Sequence, residues 1–166
     1  MTCIDAATPL IILRASDLGK TGHETPDELD ADRNFLQRLE AIRLNAALRM
    51  GLPPGLVLPK PVLVALPRHG GTIAARYFMP HACHKALAVT GAVGLATACA
   101  TPGTVAHDLI GDGLSRAIGI EHPAGRIDLE LDRAKGSSAV SLVRTARRIF
   151  EGAVFAPVDE GLALAA

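Results

Sequence analysis

Residues 85–100 read KALAVTGAVGLATACA, and the reading of this stretch decides the fold. After Lys85 it carries no charge, and Ala86, Ala88, Gly91, Ala92, Gly94, Ala96, Ala98 and Ala100 keep it narrow. Thr90-Gly91-Ala92 predicts a helix start with Thr90 as N-cap, followed by backbone N–H groups that lack intrahelical acceptors. A helix that is apolar on every side has no face to turn to water and belongs inside a core. If its start opens into a cleft, its N–H groups offer a place for a carboxylate or phosphate. If it does not, the same residues make an ordinary capped core helix.

The segments around it read as follows. Residues 10–13 are a short aliphatic run after Pro9, consistent with a buried strand. Residues 17–25 are polar and contain Gly19 and Gly22, so a loop is expected. From Asp30 or Asp32 an amphipathic helix follows, with Phe35, Leu36, Leu39, Ile42, Ala46, Ala47 and Met50 at helical spacing. Gly51 and Pro53-Pro54 stop it. Residues 52–61 form a Pro-rich extended connector. Strands are expected over 62–66 and 73–77 with a turn at 68–71, and after the apolar helix over 104–109, 115–121, 126–131, 139–143 and 146–155. Gly111-Asp112-Gly113, Pro123-Ala124-Gly125 and Lys135-Gly136-Ser137 supply turns. Alternating βαβ units would need more helices in the second half. The expectation is an α+β domain in which a curled, largely antiparallel sheet wraps the apolar helix, spanning residues 1–157, with 158–166 as a flexible tail. Such wrapping leaves no room for large side chains on the helix, which accounts for its composition.

Composition sets bounds. The chain has 166 residues, enough for one domain with a real core. Apolar residues make up 49%, which excludes a disordered class, and aromatics only 3%, so the core is aliphatic. Lys+Arg and Asp+Glu are 17 each, which gives no support to nucleic-acid or anionic-membrane partners. Cys3, Cys83 and Cys99 have no paired spacing and the first residues lack a basic, apolar leader pattern, so a reducing cytoplasm is expected. The uncharged run 86–106 is broken by Pro102-Gly103, and 90–100 would be only about 16 Å long as a helix. A bilayer core needs about 20 apolar helical residues, so no span is expected.

The chemistry-bearing residues are few. His81-Ala82-Cys83-His84 invites a metal reading, but structural zinc wants a second, separated ligand pair that is missing, so no metal is expected. His81 reads better as a site-wall residue, and the metal-dependent hydrolase remains a distant alternative. His122 stands in the turn His122-Pro123-Ala124-Gly125, where it can bond a carboxylate, donate a proton or face water. No phosphate-loop glycine pattern, nucleophile elbow or HExxH is present.

Six further stretches occur in a fixed order: Cys3-Ile4-Asp5-Ala6-Ala7-Thr8-Pro9, Asp17-Leu18-Gly19-Lys20-Thr21-Gly22-His23-Glu24, Arg76-Tyr77-Phe78-Met79-Pro80-His81-Ala82-Cys83-His84-Lys85-Ala86, Thr90-Gly91-Ala92-Val93, Pro102-Gly103-Thr104-Val105 and His122-Pro123-Ala124-Gly125. With the ending Arg144-Thr145-Ala146-Arg147-Arg148, they resemble the 2-methylaconitate cis-trans isomerase family, in particular its 4-oxalomesaconate tautomerase branch, over about residues 3–157. The resemblance implies a diaminopimelate-epimerase-like fold of two pseudo-symmetric domains, each a curled sheet around a helix, with the substrate between them. It implies cofactor-independent proton transfer between allylic carbons of unsaturated tricarboxylates. It matches the C-terminal half only, and it puts the family's proton-handling lysine and cysteine in the other half. Gly94 stands where related sequences can carry cysteine, and Thr8 where asparagine is common. The expectation is therefore a carboxylate-binding half without catalytic residues of its own, inactive alone. Thr90, Gly91, Ala92 and Val93 would hold the substrate, His122 and His81 would flank it, and Asp5 and Thr8 would line the cleft. Its partners would be a small tricarboxylate and a missing domain or a second copy. A non-catalytic binding or dimerisation module from the same family is the alternative.

Overall fold

A computed structural model of the chain describes residues 1–132, 139–153 and 155. Strands β1 (Thr2–Asp5) and β2 (Pro9–Arg14) form a hairpin. Helices α1 (Pro26–Ala31) and α2 (Arg33–Arg49) carry the chain across the sheet to β3 (Lys60–Ala65), which lies parallel to β2. β4 (Ile73–Met79) returns antiparallel and its far end pairs with the two-residue β5 (Ala82–Cys83). Helices α3 (Val89–Ala100) and α4 (Val105–Ile110) follow, then β6 (Ala117–His122), β7 (Gly125–Asp132) and β8 (Ala139–Leu142). The sheet runs β1-β2-β3-β4-β6-β7-β8, with β5 off β4. Its described pairings are antiparallel except β2–β3 and β4–β6.

Strand alternation sorts side chains into two cores. Leu10, Ile12, Val62, Val64, Ile73, Tyr77, Ile118, Ile120, Leu129 and Leu131 pack inward on Ala92, Leu95, Ala96 and Cys99 of α3. The alternate residues Ile11, Leu13, Leu63 and Phe78 pack outward on Leu29, Phe35 and Leu39 of α1 and α2. The apolar helix is thus sheathed by the sheet, and the α+β architecture expected from its composition is the one observed. Its glycines are where the sheath is tightest. A Cβ on Gly91 would lie 2.5 Å from Tyr77 Cε2, and one on Gly94 would lie 2.6 Å from Leu10 Cδ1.

Several expectations need correction. α3 starts at Val89 with Ala88 as its N-cap, and no side chain caps it. Thr90 therefore sits in the first turn. The Ala88 carbonyl accepts the Ala92 N–H at 2.9 Å, so an extended backbone suffices to start the helix. The strand expected over 104–109 is α4. Its cap Thr104 accepts the His107 N–H at 3.1 Å, and Gly111, at φ 76°, ends it. The expected loop over 17–25 runs into α1 at Pro26, where Thr25 and Glu28 form a reciprocal capping box. Of the two possible starts for the long helix, Asp32 is its cap and accepts the Phe35 N–H at 3.0 Å. The described part of 146–155 is not a strand. The turn at 135–137 and the tail at 158–166 lie outside the described residues. The connector over 52–61 is held by Arg43, which donates to the carbonyls of Leu56 (3.2 Å) and Leu58 (2.7 Å) while pairing with Glu40. Among the described residues no helix is long and apolar enough to cross a membrane.

Candidate functional site

The candidate site is centred on the first turn of α3. Its opening N–H groups have no intrahelical acceptors, and no side chain closes the end. Val89 and Thr90 are exposed, whereas Gly91 and Ala92 are buried. The positive end of the helix thus faces outward from an apolar sheath, where a fixed dipole acts most strongly on an anion. Gly91 is fixed there by the Tyr77 ring, which lies flush against it. Beyond Tyr77, the His84 ring stands edge-on at 6.0 Å between centroids. The His84 N–H donates to the Tyr77 carbonyl at 2.7 Å, and its Nδ1 accepts the Ala86 N–H at 2.9 Å, so the segment leading into α3 is anchored on both sides.

Other residues singled out in the sequence arrive at different places. The β1–β2 turn stands beside α3, with the Thr8 carbonyl oxygen 4.0 Å from where a Gly94 Cβ would be. Asp5 ends β1, exposed, at the same turn. His122 ends β6, half-buried, with Nδ1 accepting the Ala124 N–H at 3.2 Å. Burial lowers its pKa, and the charges of Arg76 and His84 lower it further. The neutral ring then carries its proton on Nε2 and can donate from there. His81 goes elsewhere. It is exposed beyond β4 and lines a shallow hollow with Arg33, Leu36, Gln37 and Glu40 on the α2 side of the sheet. The structure does not bring it to the tip of α3.

The cysteines are poor nucleophiles where they are buried. Burial pushes the thiols of Cys83 and Cys99 up to about 12; near Cys83, Asp30 adds to this and Arg76 opposes it. The three residues of the metal-like motif diverge: His81 faces α2, Cys83 lies in the outer core and His84 packs on Tyr77. Among the described residues no group of three or more His, Cys, Asp or Glu side chains could share an ion.

A second feature was not visible in the sequence. Outside the sheet, His122 joins His23, Arg68, Arg76, Glu121 and Arg126 around a hollow of about 490 Å3. These residues are up to about a hundred positions apart, and no local motif announces the cluster.

A family model described as "PrpF protein" matches residues 1–157. The chain is similar to a 4-oxalomesaconate tautomerase of Pseudomonas putida, 44% identical over 161 residues, covering 93% of this chain and 44% of that protein. It is similar to a (4E)-oxalomesaconate Delta-isomerase of a Novosphingobium strain, 39% identical over 93% of this chain and 45% of that one. Its fold matches a crystal structure of methylitaconate-delta-isomerase with a TM-score of 0.80, at 27% identity, over 91% of this chain and 45% of that one. The chain spans about half the length of the curated relatives it matches.

Proposed function

The chain belongs to the PrpF protein family, and from that premise we propose that it is the carboxylate-binding half of a cofactor-independent isomerase or tautomerase. The substrates are unsaturated tricarboxylates resembling 4-oxalomesaconate or methylaconitate. The observation that carries this reading is the open, side-chain-free start of α3 inside its apolar sheath. The relatives named above act on small unsaturated carboxylates by name, and a helix start of this kind suits that ligand class.

In this proposal the N–H groups at Thr90, Gly91, Ala92 and Val93 hold one substrate carboxylate. Removing a proton from the carbon next to a carboxylate spreads negative charge over an enolate-like system. When the proton returns at the other end of the allylic unit, the double bond has moved. Donors already aimed at the growing charge lower the barrier without reorganising. The turn carrying Asp5 and Thr8 forms the neighbouring wall, whereas His122 lines the outer hollow with Arg76 and is not assigned to the tip. His81 has no part, given its place against α2. The resemblance assigns the proton-moving lysine and cysteine to the family's other half, so this chain binds and does not itself transfer the proton. The high pKa values of Cys83 and Cys99 accord with that.

The test is a pair of measurements with 4-oxalomesaconate. Amide NMR should show saturable shifts centred on residues 89–93, weakened at least tenfold by Gly91→Leu. In deuterated buffer, the chain alone should incorporate no deuterium into the substrate above background. Unchanged affinity in Gly91→Leu refutes the helix-tip assignment, and rapid exchange by the chain alone refutes the division of labour.

A further inference from the structure

The hollow on the outer face arises from a mismatch between two strands. β6 pairs with β4 only at Ile73↔Ile120 and Ala74↔Glu121, then turns back after His122 while β4 runs on to Met79. The notch beside β4 is the 490 Å3 hollow. Arg76 lines it and is only 7% exposed. A guanidinium this buried calls for an anionic partner. It has neutral ones instead: Nε donates to the Glu24 carbonyl at 2.6 Å and Nη1 to the Ala75 carbonyl at 3.0 Å. Among the described residues no ion pair reaches it.

The acid in the wall is already committed. Glu121 accepts the N–H groups of His69 (2.6 Å) and Gly71 (2.9 Å) on Oε1, and that of Arg68 (2.8 Å) on Oε2. Arg68 stands exposed on one rim. Arg126 stands on the other, with Nε 2.8 Å from Asp128 Oδ1.

The geometry points to a binding site for a small oxyanion in this hollow, the carboxylate of an organic acid or a phosphate, seated on Arg76 and flanked by Arg68 and Arg126. A guanidinium presents a planar fork that matches two oxygens of either group. The imidazoles in the wall sense the sign of the field. Burial lowers the pKa of His23, and Arg68 and Arg76 lower it further, against the opposing charges of Glu121 and Glu24. His122 is lowered by burial and then by Arg76 and His84. This site is separate from the tip of α3. Arg76 and Tyr77 are neighbours on β4 and so face opposite sides of the sheet, and only Tyr77 meets the helix.

NMR of the imidazole signals tests the proposal, using the whole chain titrated with inorganic phosphate and separately with citrate at ionic strength matched by NaCl. Either anion should saturate and raise the pKa of His23. Response to citrate alone assigns the site to organic acids, and response to phosphate alone assigns it to phosphate. The double variant Arg68→Ala/Arg126→Ala, altered only on the rim, should weaken binding about tenfold, and Arg76→Gln should abolish it. Thr90→Glu, an exposed change that puts a like charge at the tip of α3, should leave the His23 response intact, so this site and the helix-tip reading fail separately. Absence of a saturable His23 response to both anions, an unweakened rim variant, or loss of the response in Thr90→Glu would each overturn the proposal.

Discussion

Replacing Gly91 by alanine adds one methyl group at the point where α3 meets the sheet. Helix propensity favours the change by about 1 kcal/mol. Packing opposes it. The new Cβ would lie 2.5 Å from Cε2 and 2.8 Å from Cδ2 of Tyr77. Both atoms belong to a ring that is 2% exposed, so the whole ring must move within a filled core. Overpacking of this kind costs about 1–3 kcal/mol, and a rigid buried ring puts the cost in the upper half of that range. The variant should therefore be less stable by a net of about 1–2 kcal/mol, read as a fall in Tm of about 2–8 °C for a chain of this size. Urea unfolding followed by circular dichroism gives the number. The same change made in a Tyr77→Leu background removes the collision, so Gly91→Ala should there be neutral or stabilising, and the two sites should couple by about 1–3 kcal/mol. If Gly91→Ala is as stable as the parent, or the two changes simply add, then Tyr77 does not hold the helix tip in place.

For Glu121, burial opposes ionisation but the N–H groups of Arg68, Gly71 and His69 outweigh it, so the pKa lies below the ordinary 4.5. A lowered acid pKa stabilises the fold above the ordinary value and loses that contribution as pH falls through the folded one. Tm of the parent should thus drop more steeply below about pH 4.5 than that of Glu121→Gln, and at pH 7 the variant should be weaker by about 2 kcal/mol, from loss of charge-assisted hydrogen bonds. Parallel pH profiles would refute this. Iodoacetamide at pH 8 should label exposed Cys3 in the native chain and leave buried Cys83 and Cys99 unmodified until denaturant is added, as read by mass spectrometry of the peptides.

The central element was legible because its composition admits one solution. A run with no charge and eight small residues between 86 and 100 can only be an enclosed helix, and an enclosed helix calls for a sheet to enclose it. Shorter elements were harder. Residues 104–109 contain Val105 and Leu109 and look extended, yet Thr104 ahead and Gly111 behind carry the cap and stop of a single turn and a half of helix. Thr25-Pro26 with Glu28 was likewise a readable start for α1, hidden inside a polar stretch. The start of α3 was legible to within two residues, Ala88 and not Thr90 being its cap, whereas the turn of Asp5 and Thr8 was singled out only through the family resemblance. Arg76 was not legible as a site residue. Its place in the proposed site comes from burial and from having no ion-pair partner among the described residues, and neither property belongs to the residue until the sheet has formed.

The sheet is wide but not equally strong across its width. Between β4 and β6 the backbones are stitched at two positions, whereas β3 joins β4 at four and β6 joins β7 at six. That line is a seam between two plates. Glu121 acts as its rivet, because its carboxylate grips the loop fifty residues earlier that closes the neighbouring hairpin. Thr72 and Gly119 add two further hydrogen bonds across the line, and because Glu121 also lines the hollow with Arg76, the sparse stitching and the charged notch share the same address.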